Sequence, residues 1–111
     1  MEIRFRSGKL AKEANDFRLL RKTHGEHRAK RIRLRLDTLR AASVLEDLRH
    51  MPGRLHELSG DRAGQLSLDL DGPYRLIFAP DHNPVPRRTD GGMDWNQITA
   101  VLVLEIEDTH G

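Results

Sequence analysis

Apolar and polar positions change their period along this chain, and each change marks an element. Ile3 and Phe5 alternate with charged neighbours over residues 2–6, the period of a short strand. From Ser7 the spacing becomes three to four. Leu10, Ala14, Phe17 and Leu20 form one stripe and predict an amphipathic helix up to Lys22. Thr23-His24-Gly25 closes it, with Gly25 at a left-handed cap position. A second helix is expected over 26–42, with Ala29, Ile32, Leu36 and Leu39 on its apolar stripe. So short a joint predicts an antiparallel helical hairpin. Ser43 and Glu46 have capping-box spacing for a further turn over 44–50, which Pro52-Gly53 ends.

Beyond Gly53 the period is two. Residues 54–58 alternate, Ser59-Gly60-Asp61 turns the chain, and Leu66, Leu68 and Leu70 alternate again. Asp71-Gly72-Pro73 reads as a hairpin turn into a strand over 74–79. Residues 80–96 hold three of the five prolines and Gly91-Gly92, which reads as a polar loop and an insertion. The run 98–106 is nearly all apolar, as expected of a central strand buried on both faces. The order is β-α-α-β-β-β. It predicts an α+β class, with the helical hairpin packed on a twisted, mainly antiparallel sheet in a single domain over 1–111.

Composition narrows the function classes. Among 111 residues there is no cysteine, which excludes a disulfide framework, a thiolate metal site and a cysteine nucleophile. No apolar run approaches the ~20 residues of a membrane span, and the N-terminal MEIRFRSGKL lacks the apolar core of a secretory signal. A cytoplasmic location is the expectation, without a membrane role.

The net charge is only +2, but it is unevenly placed. Residues 1–54 hold 15 Lys and Arg against 7 Asp and Glu, a balance of +8; residues 55–111 hold 4 against 10, a balance of −6. The second helix carries Arg28, Lys30, Arg31, Arg33 and Arg35, and Arg54 follows it. Such a basic half suggests a polyanionic partner, RNA or DNA being the commonest. Solvated helices that use arginine as a good helix former are the plainer explanation.

Of six histidines, His24 and His27 straddle Gly25 and read as solvated turn residues, not metal ligands. His56 lies in the short strand RLHEL, and His110 lies just past the last strand beside Asp108, both at sheet ends where a ligand could meet an imidazole. Asp69 and Asp71 read as turn-formers. Arg75, among Leu76, Ile77 and Phe78, either snorkels at the sheet edge or holds an anion.

Together, RLHELSGD at 54–61, GPYRLIF at 72–78 and the terminal EDTHG resemble a HigB-type toxin of the RelE/ParE superfamily, from bacterial type II toxin–antitoxin modules. The resemblance spans the chain apart from the loop at 80–96. It implies ribosome-dependent cleavage of mRNA without metal or cofactor. His56, Arg75, Asp108 and His110 would be catalytic, and Arg28, Lys30, Arg31, Arg33, Arg35 and Arg54 would bind RNA. Thr109 stands where the family has tyrosine, so a role for that ring is absent or moved elsewhere. The implied partners are a helix-turn-helix antitoxin, the ribosome and mRNA. Alternatives from other classes are a non-enzymatic binding module of the same fold and a ParE-like poison of DNA gyrase.

Overall fold

Ser7 begins the first helix by accepting a hydrogen bond from the Leu10 amide, 3.1 Å, with its own backbone extended. In the computed structural model, which describes residues 1–109, the expected helix up to Lys22 is divided into α1 (Gly8–Ala14) and α2 (Phe17–His24). The cause is Asn15-Asp16. The Asn15 side-chain amide donates to Ala11 O at 2.8 Å, ending α1, and Asp16 accepts from the amides of Arg18 and Leu19, starting α2. His24, read from the sequence as a solvated turn residue, bridges the break instead: its Nε2 lies 2.7 Å from Glu13 Oε1.

Gly25 at φ 84° then reverses the chain into α3 (Glu26–Ala41). Its predicted stripe of Ala29, Ile32, Leu36 and Leu39 is completely buried. The following turn is a 3-10 segment, Leu45–Leu48, and its cap differs from the expected one. Asp47 accepts from the amides of Ser43 and Val44, while Glu46 pairs with Arg49.

Five strands form one sheet: β1 (Glu2–Phe5), β2 (His56–Glu57), β3 (Leu66–Asp69), β4 (Tyr74–Pro80) and β5 (Ala100–Asp108), in the order β1-β5-β4-β3-β2. β1 runs parallel to β5 and every other pairing is antiparallel. This is the expected α+β arrangement, with the helices on one face, but four strands follow the helices where the order β-α-α-β-β-β has three. Leu66, Leu68, Leu76, Phe78, Val101 and Val103 meet α3 across a continuous core.

Two features differ from the expectation for β5. Val101 and Val103 are buried, but Leu102 and Leu104 are only half-buried, because β5 is paired along both edges while one of its faces carries no helix. The pairing also slips: Phe78 faces Val103 but Ile77 faces Glu105, so Leu104 is an extra residue. Such a bulge inverts the alternation. Val101 and Val103 face the core before it, whereas Glu105 and Glu107 both reach Arg62 after it.

The segment 80–96 is more structured than a polar loop. β4 extends to Pro80, Arg87 and Met93 pair as an antiparallel bridge, and Met93 is buried in the core. Of the expected strand over 54–58 only His56–Glu57 pairs, since Arg54 sits at φ 48°, outside strand geometry.

The hairpin turn before β4 is locked to α3. Arg28 Nε lies 2.9 Å from Asp71 Oδ1, and the guanidinium covers the Tyr74 ring. Burial pushes the Asp71 carboxyl up, but the Arg28 hydrogen bond and a backbone amide outweigh it and hold the group below the usual carboxylate range. A depressed carboxylate stabilises the fold above its unfolded pKa and loses that contribution as pH falls through the folded value. Arg28→Ala should cost about 1–3 kcal/mol at neutral pH. Urea unfolding from pH 7 to pH 3 should show the gap between wild type and Asp71→Asn closing as acid is added. A gap that stays constant would mean the pair contributes nothing through its charge.

Candidate functional site

Strand register brings the chemistry to the sheet face away from α3. His56 on β2 stands opposite Ser67 on β3; Asp69 on β3 faces Arg75 on β4, which in turn faces Glu107 on β5. His56, Ser67, Arg75 and Glu107, with Arg54, Leu58, Arg62, Ile77 and Thr109, line a concavity of ≈ 330 Å³. That is room enough for one nucleotide-sized group. Its floor is buried side chain, Ser67 and Ile77 each being 1% exposed.

Two walls hold the cations. On the β3 side, Asp69 is the common anchor: Arg75 Nε lies 2.9 Å from its Oδ1 and Arg54 Nε 3.2 Å from its Oδ2. Arg75 approaches Oδ1 off the line of a hydrogen bond, so that buried oxygen has a charge contact and no aligned donor. Arg75 Nη1 instead donates to Gly72 O at 2.8 Å and Tyr74 O at 2.9 Å, which fixes the guanidinium at the end of the turn. The Arg54 side chain is 69% exposed and is the most accessible of these guanidiniums. On the β5 side, Arg62 donates to Glu107 at 2.6 Å and reaches Glu105 at 3.3 Å. The Glu107 hydrogen bond raises the Arg62 pKa further above its ordinary value, against a smaller opposing effect of burial.

His56 is loosely held. Its Nδ1 is 3.4 Å from Arg54 O and 3.5 Å from Ser67 Oγ, and the side chain is exposed. An imidazole so placed can exchange protons with a ligand in the concavity. Thr109 closes the far end, its Oγ1 donating to Pro73 O at 2.6 Å.

Of the catalytic candidates, the fold unites His56 and Arg75 and adds Arg54. Asp108 pairs with Tyr74 on the alternate face of β5, so Glu107 and Thr109 line the concavity in its stead. His110 lies outside the described residues. Among the basic positions on α3, Arg35 points inward, not to solvent. It is 5% exposed, its Nε donates to Asp69 O at 2.8 Å, and its guanidinium lies against Gly53, where a Cβ would come within 2.9 Å. Burial lowers its pKa, helped by Arg31 and opposed by Asp69. Arg28 is engaged with Asp71, Lys30 lies 3.5 Å from Glu26, and Arg33 stacks on Phe17; Arg31 is half-buried. These side chains belong to α3, across the sheet from the concavity.

Sequence reasoning missed Ser67, Arg62 and Glu107, and read Asp69 and Asp71 as turn-formers when both anchor arginines. Period two places Ser67 beside His56 once the pairing is known. Glu107 has no such signal, because its facing depends on the bulge.

Among the described residues no group of three or more His, Cys, Asp or Glu is arranged to hold a metal, and no helix is long and apolar enough to cross a membrane. The sequence matches no protein-family model and no curated protein. Among solved structures the chain is similar to the YoeB/ParE toxin from Agrobacterium tumefaciens, with a TM-score of 0.57 over 97% of this chain and 98% of that one, at 12% sequence identity. The likeness is one of fold.

Proposed function

We propose that this chain is the toxin of a toxin–antitoxin pair and that it cleaves mRNA on the translating ribosome, in the manner of HigB-type toxins. One observation carries the reading: an exposed imidazole, His56, shares a concavity with Arg54 and Arg75, each anchored by Asp69. A proton-transferring group beside fixed guanidiniums is what transesterification of RNA requires.

In that reaction the ribose 2′-oxygen loses its proton to a base and bonds to the adjacent phosphorus. The bond from phosphorus to the 5′-oxygen breaks, and an acid protonates the leaving oxygen. The products are a 2′,3′-cyclic phosphate and a 5′-hydroxyl. His56 is assigned one proton transfer. Its counterpart, His110, is assigned from the sequence resemblance alone. Arg75 faces the charge that develops on the phosphorane, where a planar fork outperforms a point charge.

Dependence on the ribosome has a structural argument. The concavity is lined by no Phe, Tyr or Trp among the described residues, so it offers few surfaces on which to splay bases. In-line geometry must then be imposed from outside, and a ribosome holding mRNA supplies it, an advantage that can reach several kcal/mol. The antitoxin is proposed as the partner that keeps the site covered.

The three arginines of the concavity face three carboxylates, Asp69, Glu105 and Glu107, and this balance favours as second reading a non-enzymatic module such as a gyrase poison. Brief induced expression followed by sequencing of mRNA 5′ ends decides between them. Growth arrest with new 5′-hydroxyl ends inside translated frames is expected. Arrest with unchanged mRNA ends and altered DNA supercoiling would overturn the cleavage reading.

A further inference from the structure

Arg62 is reached by no motif, yet the fold builds it into the site. The 3-10 turn Gly60–Arg62 lifts it off the β2–β3 connection. There Nη1 donates to Gln65 Oε1 at 2.9 Å, while Nη2 meets Glu107 at 2.6 Å and Glu105 at 3.3 Å. Its side chain is 31% exposed and lines the same concavity as His56. Glu105 is also shared with Arg6, 3.6 Å away, so Glu107 is the carboxylate more closely committed to Arg62.

We infer that Arg62 is a phosphate-contacting residue of this site and that Glu107 is its positioning residue. Asp69 holds Arg54 and Arg75 at the β3 wall; Glu107 holds Arg62 at the β5 wall. A single strand lying across the sheet then meets guanidiniums at both walls, with His56 at the β2 edge. The carboxylate lowers the affinity for a polyanion, but it fixes the fork where an anion must fit it, a cost in binding exchanged for orientation. The inference rests on the RNA reading, and it assigns Glu107 no proton transfer.

Two measurements test it. The first is binding of a fluorescent RNA oligomer, 2′-O-methylated throughout so that it cannot be cut, as a function of salt. One lost phosphate contact lowers the slope of log affinity against log salt by about 0.7. Arg62→Ala should show that drop and Arg62→Lys should not, since Lys keeps the charge. The second is cleavage on programmed ribosomes. Glu107→Gln should bind the oligomer more tightly yet lower kcat several-fold, a split that a merely structural ion pair would not produce. In the Arg62→Ala background, Glu107→Gln should change kcat little further, because it acts through the missing guanidinium. Circular dichroism and thermal unfolding confirm that each variant is folded; Arg62→Gln, which also removes the charge, replaces Arg62→Ala in both measurements if the latter is not. A salt slope that Arg62→Ala leaves unchanged, or a further tenfold loss in the double variant, overturns the inference and leaves the RNA reading standing. A wild-type protein that neither binds the oligomer at low salt nor cuts mRNA on ribosomes overturns both.

Discussion

The proposed ribosome-dependent RNA cleavage should fall by about 10²–10⁴-fold in His56→Ala, the usual consequence of removing an acid or base from a transesterification site. The fold should not notice. His56 is exposed on a two-residue edge strand, and its ring contacts, at 3.4 and 3.5 Å, are at the limit of hydrogen bonding. A surface substitution of this kind usually shifts stability by less than about 0.5 kcal/mol. Single-turnover cleavage and thermal unfolding of the same preparation separate the two effects. A folded variant with less than a tenfold loss would remove His56 from the chemistry.

Phe78→Ala is the substitution with the largest expected effect on stability, about 3–5 kcal/mol. Phe78 is 0% exposed, paired with Leu66 on one side and Val103 on the other, and lies at the position where the β4–β5 register slips. Its loss opens a cavity under α3 that the fixed backbone pairing cannot close. Against a total of roughly 5–15 kcal/mol for a domain, such a loss leaves little margin. Urea unfolding measures it directly. A cost below about 1 kcal/mol would mean that the helices and sheet settle together, and that the core is less tightly fitted than its burial indicates.

The elements readable from the sequence are those whose period is a property of one segment. The stripe of Ala29, Ile32, Leu36 and Leu39 is of this kind, and all four are buried as the spacing predicts. The break between α1 and α2 is not, because Leu10, Ala14, Phe17 and Leu20 keep their helical spacing across it. Only the capping chemistry of Asn15 and Asp16 announces it. Arg35 illustrates a different failure. It lies seven residues from Arg28 on the border of the apolar stripe, where a charged residue reads as solvated, yet both arginines reach acidic residues of the β3–β4 hairpin: Arg28 the Asp71 carboxylate, Arg35 the Asp69 carbonyl.

The site was legible to the same extent. His56 and Arg75 stood out as an imidazole and a guanidinium at strand ends, and strand pairing brings them to one concavity. Glu107 did not, since one extra residue in β5 decides which of its side chains share that face. Asp69 was hidden by its position next to a turn, where an aspartate has a sufficient local explanation.

The proposed nucleophile is the 2′-hydroxyl of a ribosome-bound mRNA, attacking within this concavity. It is tested most directly with ribosomes programmed with an mRNA carrying a single 2′-deoxy substitution at the mapped cleavage position. The all-ribose message should be cut at that position, leaving a 2′,3′-cyclic phosphate. The substituted message should remain intact there while it still binds the ribosome and the protein. Efficient cleavage of the substituted message at the same position would contradict the account, because the proposed nucleophile would be missing.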